Sequence, residues 1–104
     1  MAVLEGLTLA VVMVGMTHYV DIGQGTDAVI YYESETEAHM TLPNGVTWEG
    51  TMVLKADGYF VDWADGPEGD WQLGHVPGQI TYIDGKGEVI GMITRLVPGN
   101  PEGF

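Results

Sequence analysis

Frequent turn-forming residues limit how this chain can fold more than any other feature. Glycine accounts for 16 of the 104 residues and occurs along the whole length. The segments between these glycines are short and rich in Val, Ile, Thr, Tyr and Trp, the residue types that favour β-strands. Short strands separated by turns predict an all-β fold, an antiparallel meander of about eight strands that forms either a curled sheet or a small barrel.

Alternation of inward and outward residues locates these strands. Residues 46–55 show it best, because Trp48, Met52 and Leu54 fall on one face and threonines on the other. Gly50 lies in the middle of this strand and predicts a bulge or a bend. The other predicted strands cover residues 16–21, 28–33, 38–42, 59–64, 70–76, 79–84 and 88–97.

The N-terminal segment has a different pattern. Thr8 can cap a short helix over Leu9–Val14, and Gly15 suits the position after its C-terminus. The valines in this stretch are poor helix formers, so a first strand is the alternative. We predict one β-domain over residues 1–104, with a helical segment at 1–15 and an irregular tail at 98–104.

Charge excludes several classes of partner. The chain has 15 acidic and 3 basic side chains, a formal net charge of -12. Neither nucleic acid nor an anionic membrane surface is expected to bind it. A solvated acidic shell is the favoured interpretation, and a cation-binding surface is the alternative. The chain has no cysteine, which excludes disulfides and thiolate chemistry.

The N-terminus does not match a secretory signal, because its first basic residue is Lys55. Its apolar stretch, Leu7–Met16, is too short to span a bilayer. The sequence leaves the compartment open: cytoplasmic by default, and periplasmic if a leader was removed.

Part of the sequence resembles a known family. Gly50-Thr51, Asp57-Gly58-Tyr59, Val61-Asp62-Trp63 and Trp71-Gln72-Leu73 occur in the order of a "G-T-W … Y-C-V-x-W … C-W" pattern. This pattern is found in small bacterial lipocalin-like β-domains, and the resemblance extends over about residues 14–96. Here Phe60 and Asp70 replace the two cysteines of the pattern, and Met52 replaces its first tryptophan. The resemblance implies an up-and-down barrel or a strongly curled sheet with an apolar interior pocket.

Catalytic and metal-binding motifs are weak in this sequence. The three histidines, His18, His39 and His75, are on separate predicted strands and form no closely spaced pair, so we predict no metal site and no cofactor. The sequence favours a protein without enzymatic activity over an enzyme. The enzymatic alternative uses carboxylates, with Asp62 and Asp70 the best candidates, together with His18 or His75.

Aromatic residues carry the favoured functional hypothesis, which is non-enzymatic binding of a small apolar or aromatic ligand. We expect its site to include the inward aromatic side chains and Arg95, the only arginine, as an anchor for an anionic group. The candidate ligand-binding residues are Tyr31, Trp48, Trp63, Trp71, His75, Tyr82 and Arg95. The alternative is a protein-interaction or assembly module that uses an acidic face or a free sheet edge, with an unknown protein partner.

Overall fold

A computed structural model of the chain describes residues 2–104, and its main feature is a closed antiparallel β-barrel. One short helix precedes the barrel strands. The elements are β1 (Ala2–Val3), α1 (Gly6–Met13), β2 (Met16–Asp21), β3 (Ala28–Tyr32), β4 (Glu37–Thr41), β5 (Thr47–Leu54), β6 (Tyr59–Trp63), β7 (Glu68–Val76), β8 (Gln79–Ile83) and β9 (Val89–Pro98).

Closure results from simple up-and-down connections. Each strand from β2 to β9 pairs with the next one in the chain, and β9 returns to pair with β2, with Thr17 opposite Val97. All of these pairings are antiparallel. The all-β prediction is therefore confirmed, and the barrel rather than an open curled sheet is the form that the chain adopts. Closure pairs the edges that an open sheet would expose.

Strand β7 changes partners along its length. Residues 68–71 pair with β6, whereas residues 72–76 pair with β8. The pairing with β6 stops at Trp71, opposite Tyr59. Further along the same edge of β7, strand β1 pairs with it, with Ala2 opposite His75 and Val3 opposite Gly74. Strand β1 is too short to show a pattern in the sequence, and it was not predicted.

Helix α1 closes one end of the barrel. Its Leu9 and Met13 side chains are fully buried in the core, whereas Leu7 and Val11 face outward. The prediction that Thr8 caps the helix is wrong, because the helix begins at Gly6 and Thr8 lies exposed within its first turn. Gly15 has a φ of 74°, as expected for the residue that ends such a helix. None of the described helical structure is long and apolar enough to span a membrane.

Gly50 provides space for an aromatic ring. Its strand keeps a regular register there, opposite Ala38 on one side and Trp63 on the other. Of the predicted bulge or bend, the bulge is therefore wrong. A Cβ atom at Gly50 would lie 2.6 Å from Cε3 of Trp63. The register shifts occur instead where β9 pairs with β2 and with β8.

The two ends of the barrel differ in construction. We call the end that carries α1 the plugged end and the opposite end the open end. The open end is formed by the loops 22–27, 42–46, 64–67 and 84–88. The tail after β9 crosses the outer face of the wall, where the Thr17 hydroxyl donates to the Gly99 carbonyl oxygen at 2.7 Å. Tyr19 donates to Glu102 at 2.5 Å, so the outward side chains of β2 are covered.

Candidate ligand-binding cavity

The barrel interior contains an apolar cavity of about 190 Å³. No charged side chain is among the described residues that line it. They are Val20, Ile22, Ala28, Ile30, Tyr32, Met40, Leu42, Trp48, Tyr59, Val61, Trp63, Pro67, Trp71, Tyr82, Ile90 and Gly91. Inward positions of the strands supply most of the wall, because alternate residues of a barrel strand face its interior.

The cavity lies between a layer of tyrosines and the open end. Its lining includes Tyr32, Tyr59 and Tyr82 but neither Leu9 nor Met13 of the helix. The tyrosine layer therefore forms the floor of the cavity and separates it from α1. Near the open end the lining residues become partly exposed, and Ile90 is 45% exposed. The cavity thus has an apolar mouth at the open end.

Hydrogen bonds connect the floor of the cavity to the helix. His18 Nε2 lies 2.8 Å from the Val12 carbonyl oxygen, and His18 Nδ1 lies 2.6 Å from the Tyr82 hydroxyl. The Tyr32 hydroxyl is 2.7 Å from that of Tyr82 and 3.1 Å from that of Tyr59. Strands β2, β3, β6 and β8 each supply one member, so the four side chains meet inside the barrel.

The direction of each bond follows from the carbonyl group. A carbonyl oxygen can only accept, so Nε2 of neutral His18 carries the proton and Nδ1 is the acceptor. Tyr82 then donates to Nδ1, Tyr32 donates to Tyr82, and Tyr59 donates to Tyr32. We call this series of bonds, from Tyr59 to Val12, the tyrosine–histidine chain.

Burial keeps the tyrosine–histidine chain uncharged. Desolvation lowers the pKa of His18 to about 4, although the bond to the Val12 carbonyl acts in the opposite direction. Burial also raises the pKa of Tyr32, Tyr59 and Tyr82 well above 10. All four side chains are therefore neutral near pH 7, and the cavity floor presents dipoles without a net charge.

The structure brings four of the seven predicted site residues together. Trp48, Trp63, Trp71 and Tyr82 all line the cavity. Their rings also contact one another in pairs: Trp48 and Trp63 have centroids 6.5 Å apart, and Trp71 meets Tyr82 edge to face at 6.1 Å.

The other three predicted residues lie away from the cavity. Tyr31 is on the outer face, stacked against His39 and Phe104, with ring centroids 5.9 Å and 6.4 Å away. His75 is exposed near the plugged end. The Arg95 guanidinium lies outside the wall, 4.8 Å from the centre of the Tyr19 ring. Arg95 is therefore not placed to anchor an anionic group inside the cavity.

A polar cluster surrounds His39 on the outer face. Nε2 of His39 lies 3.1 Å from Oε1 of Glu33, and Nδ1 contacts Glu49. Glu37 is hydrogen-bonded to Glu33, which raises the pKa of Glu37 and lowers that of Glu33. Among residues 2–104, no three His, Asp or Glu side chains are grouped so that they could hold a metal ion.

The tyrosine–histidine chain was missed as a unit in the sequence. Tyr32 has the signal that could have revealed it, because Ala28, Ile30 and Tyr32 alternate with outward residues. Tyr59 shares the inward face of β6 with Val61 and Trp63 in the same way. Alternation identifies these faces, but the meeting of three hydroxyl groups depends on the closure of the barrel.

Comparison of the chain with family models, curated proteins and solved structures finds no match. The fold and the cavity described above are therefore the grounds on which a function is assigned.

Proposed function

We propose that this protein binds a small, uncharged, largely apolar molecule inside the barrel, through the open end. The observation that carries the proposal is the apolar cavity of about 190 Å³ above the tyrosine floor. Apolar cavities with few polar groups are the usual form of small-molecule sites. The eight-stranded up-and-down topology also supports the resemblance to lipocalin-like domains, whose barrels hold one small ligand.

Cavity size limits the ligand to one ring or a short chain. An engineered apolar cavity of about 150 Å³ binds benzene, so the present cavity suits a molecule of about the size of toluene or slightly larger. Three tryptophans and three tyrosines among the lining residues offer ring faces and edges. An aromatic ligand gains from such contacts in addition to the burial of its apolar surface.

A thermal-shift titration with toluene tests this proposal, because a ligand that binds only the folded state raises the apparent stability. Ala28 is buried and lines the cavity, so the larger side chain of Ala28→Leu should fill the space that toluene needs. Ala56→Leu makes the same change at an exposed turn and serves as the matched control. We expect toluene to stabilise the wild type and Ala56→Leu but not Ala28→Leu. Equal stabilisation of a folded Ala28→Leu variant, or none of the wild type, would contradict the proposal.

A further inference from the structure

The tyrosine hydroxyls at the floor of the cavity can accept a hydrogen bond from a ligand, but none has a proton left to donate to one. Each phenol has one proton, and those of Tyr82, Tyr32 and Tyr59 are donated to His18, Tyr82 and Tyr32. The Val12 carbonyl fixes this direction, because it accepts the Nε2 proton of His18. The series therefore begins at Tyr59. Its hydroxyl also contacts that of Tyr82, but the Tyr82 proton is already donated to His18, so the Tyr59 oxygen keeps an acceptor site.

Tyr59 also has the position that such an acceptor requires. It lines the cavity, and its side chain is only 2% exposed. A buried hydroxyl with an unused acceptor site favours a ligand that donates a hydrogen bond. A ligand that can only accept finds no available proton at the tyrosine floor.

Charge restricts the ligand further. The cavity lining carries no cation, so a carboxylate would be buried without a counter-ion. Acidic side chains on the strand ends and loops of the open end, with Lys86 as their basic neighbour, also repel an approaching anion. These are Asp21, Asp27, Asp65, Glu68, Asp84 and Glu88.

We infer that the ligand is a neutral aromatic molecule with one hydroxyl or N–H group, of the phenol or indole class, which donates to the tyrosine floor at Tyr59. This inference rests on the proposed ligand-binding function and adds the polarity of the ligand. Selection arises because a site that is built to pair one polar group rejects analogues without it.

Calorimetric titration with four probes at pH 7 and moderate salt tests the inference. Toluene has no polar group, anisole only accepts, phenol donates, and benzoate is an anion. We expect phenol to bind about tenfold more tightly than anisole, and benzoate to show no measurable binding. If toluene binds but phenol binds no better than anisole, the inference fails and the proposed function stands. If none of the four binds, the proposed function fails and the inference fails with it.

A variant outside the cavity tests whether the hydrogen-bond direction set by His18 causes the preference for a donating ligand. His18→Leu leaves the cavity lining unchanged but removes the acceptor that holds the Tyr82 proton. With that proton released, we expect the preference for phenol over anisole to fall toward onefold. Met13→Leu changes a buried residue of α1 next to Val12 and should keep the wild-type preference. An unchanged preference in a folded His18→Leu variant would contradict the idea that His18 sets the direction of the hydrogen bonds. If that variant does not fold, the four-probe titration of the wild type decides the ligand class.

Discussion

The hydroxyl of Tyr82 donates to Nδ1 of His18 across 2.6 Å, between residues 64 positions apart in the chain. His18 in turn holds the carbonyl oxygen of Val12, so this bond connects strand β8 to the helix that plugs the barrel. Both side chains are buried, and each of their polar atoms has a hydrogen-bond partner. The closed end of the barrel is therefore fastened by a polar interaction within an otherwise apolar core.

Acid should weaken the fold through His18. Its pKa falls from 6.5 in the unfolded chain to about 4 in the folded protein, so at intermediate pH the unfolded state binds more protons. Stability is then fully present above pH 6.5 and is lost as the pH falls toward 4, by on the order of 3 kcal/mol. Urea unfolding at a series of pH values measures this loss.

His18→Gln provides the control for that experiment. It removes the titrating group, so the variant should be less stable at pH 7 but show a flatter profile between pH 6.5 and 4. Carboxylate titration is common to both proteins and cancels in the comparison. Parallel profiles for the two proteins would show that His18 does not carry the effect.

Removing the Tyr82 hydroxyl should cost more than removing the Tyr59 hydroxyl. Tyr82→Phe leaves Nδ1 of His18 without its donor and Tyr32 without its acceptor, whereas Tyr59→Phe removes only the first donor of the series. We expect a loss of about 2 kcal/mol for Tyr82→Phe and about half of that for Tyr59→Phe. Chemical denaturation measures both, and a larger cost for Tyr59→Phe would contradict the assigned bond directions.

Gly50 should not tolerate a methyl group. A Cβ atom there would lie 2.6 Å and 2.9 Å from two carbons of the Trp63 ring, so the buried indole would have to move. We expect Gly50→Ala to destabilise the protein by about 2 kcal/mol. Gly69→Ala is the matched control, because it is also in a strand but its Cβ would meet nothing within 4 Å. The control should change the urea midpoint little, and equal losses at the two sites would refute the steric explanation.

Salt should raise the thermal stability. The net charge of -12 makes the folded state repel itself, and an increase from about 0.01 M to about 1 M NaCl shortens the Debye length from about 30 Å to about 3 Å. We expect the Tm to increase across this range. A double variant, Glu35→Lys with Asp57→Lys in exposed turns, should show a smaller increase. A Tm that falls with salt in the wild type would contradict this prediction.

Most of the fold could be predicted because alternation and turn residues act locally. Strand β2 begins and ends at the predicted residues, and the other seven barrel strands differ by no more than two residues at either end. The sequence does not predict that β7 begins as early as Glu68, because Glu68 and Gly69 have low strand propensity. Pairing with β6 holds these two residues in the strand. Closure depends on the contact of β9 with β2, which no local pattern contains.

The site was predictable only in part, for the same reason. Alternation placed Trp48, Trp63 and Trp71 on inward faces, and they do line the cavity. Tyr31 and Tyr32 are adjacent, so only one of them can face inward, and the structure shows that it is Tyr32. Arg95 lies just after a register shift between β9 and β2, and its outward direction depends on that pairing. Side-chain direction follows from sequence where strands are regular and is lost at irregular positions.

The arrangement of the chain ends has a practical consequence. Ala2 pairs with His75 near the plugged end, and β9 finishes at Pro98 beside Met16, where α1 leads into β2. A tag, a fused domain or a solid support attached ahead of Ala2 would therefore be directed away from the mouth of the cavity, whereas the tail after Pro98 returns along the outer wall to Phe104. The barrel can be tethered ahead of β1 while the mouth of its cavity stays open to solvent.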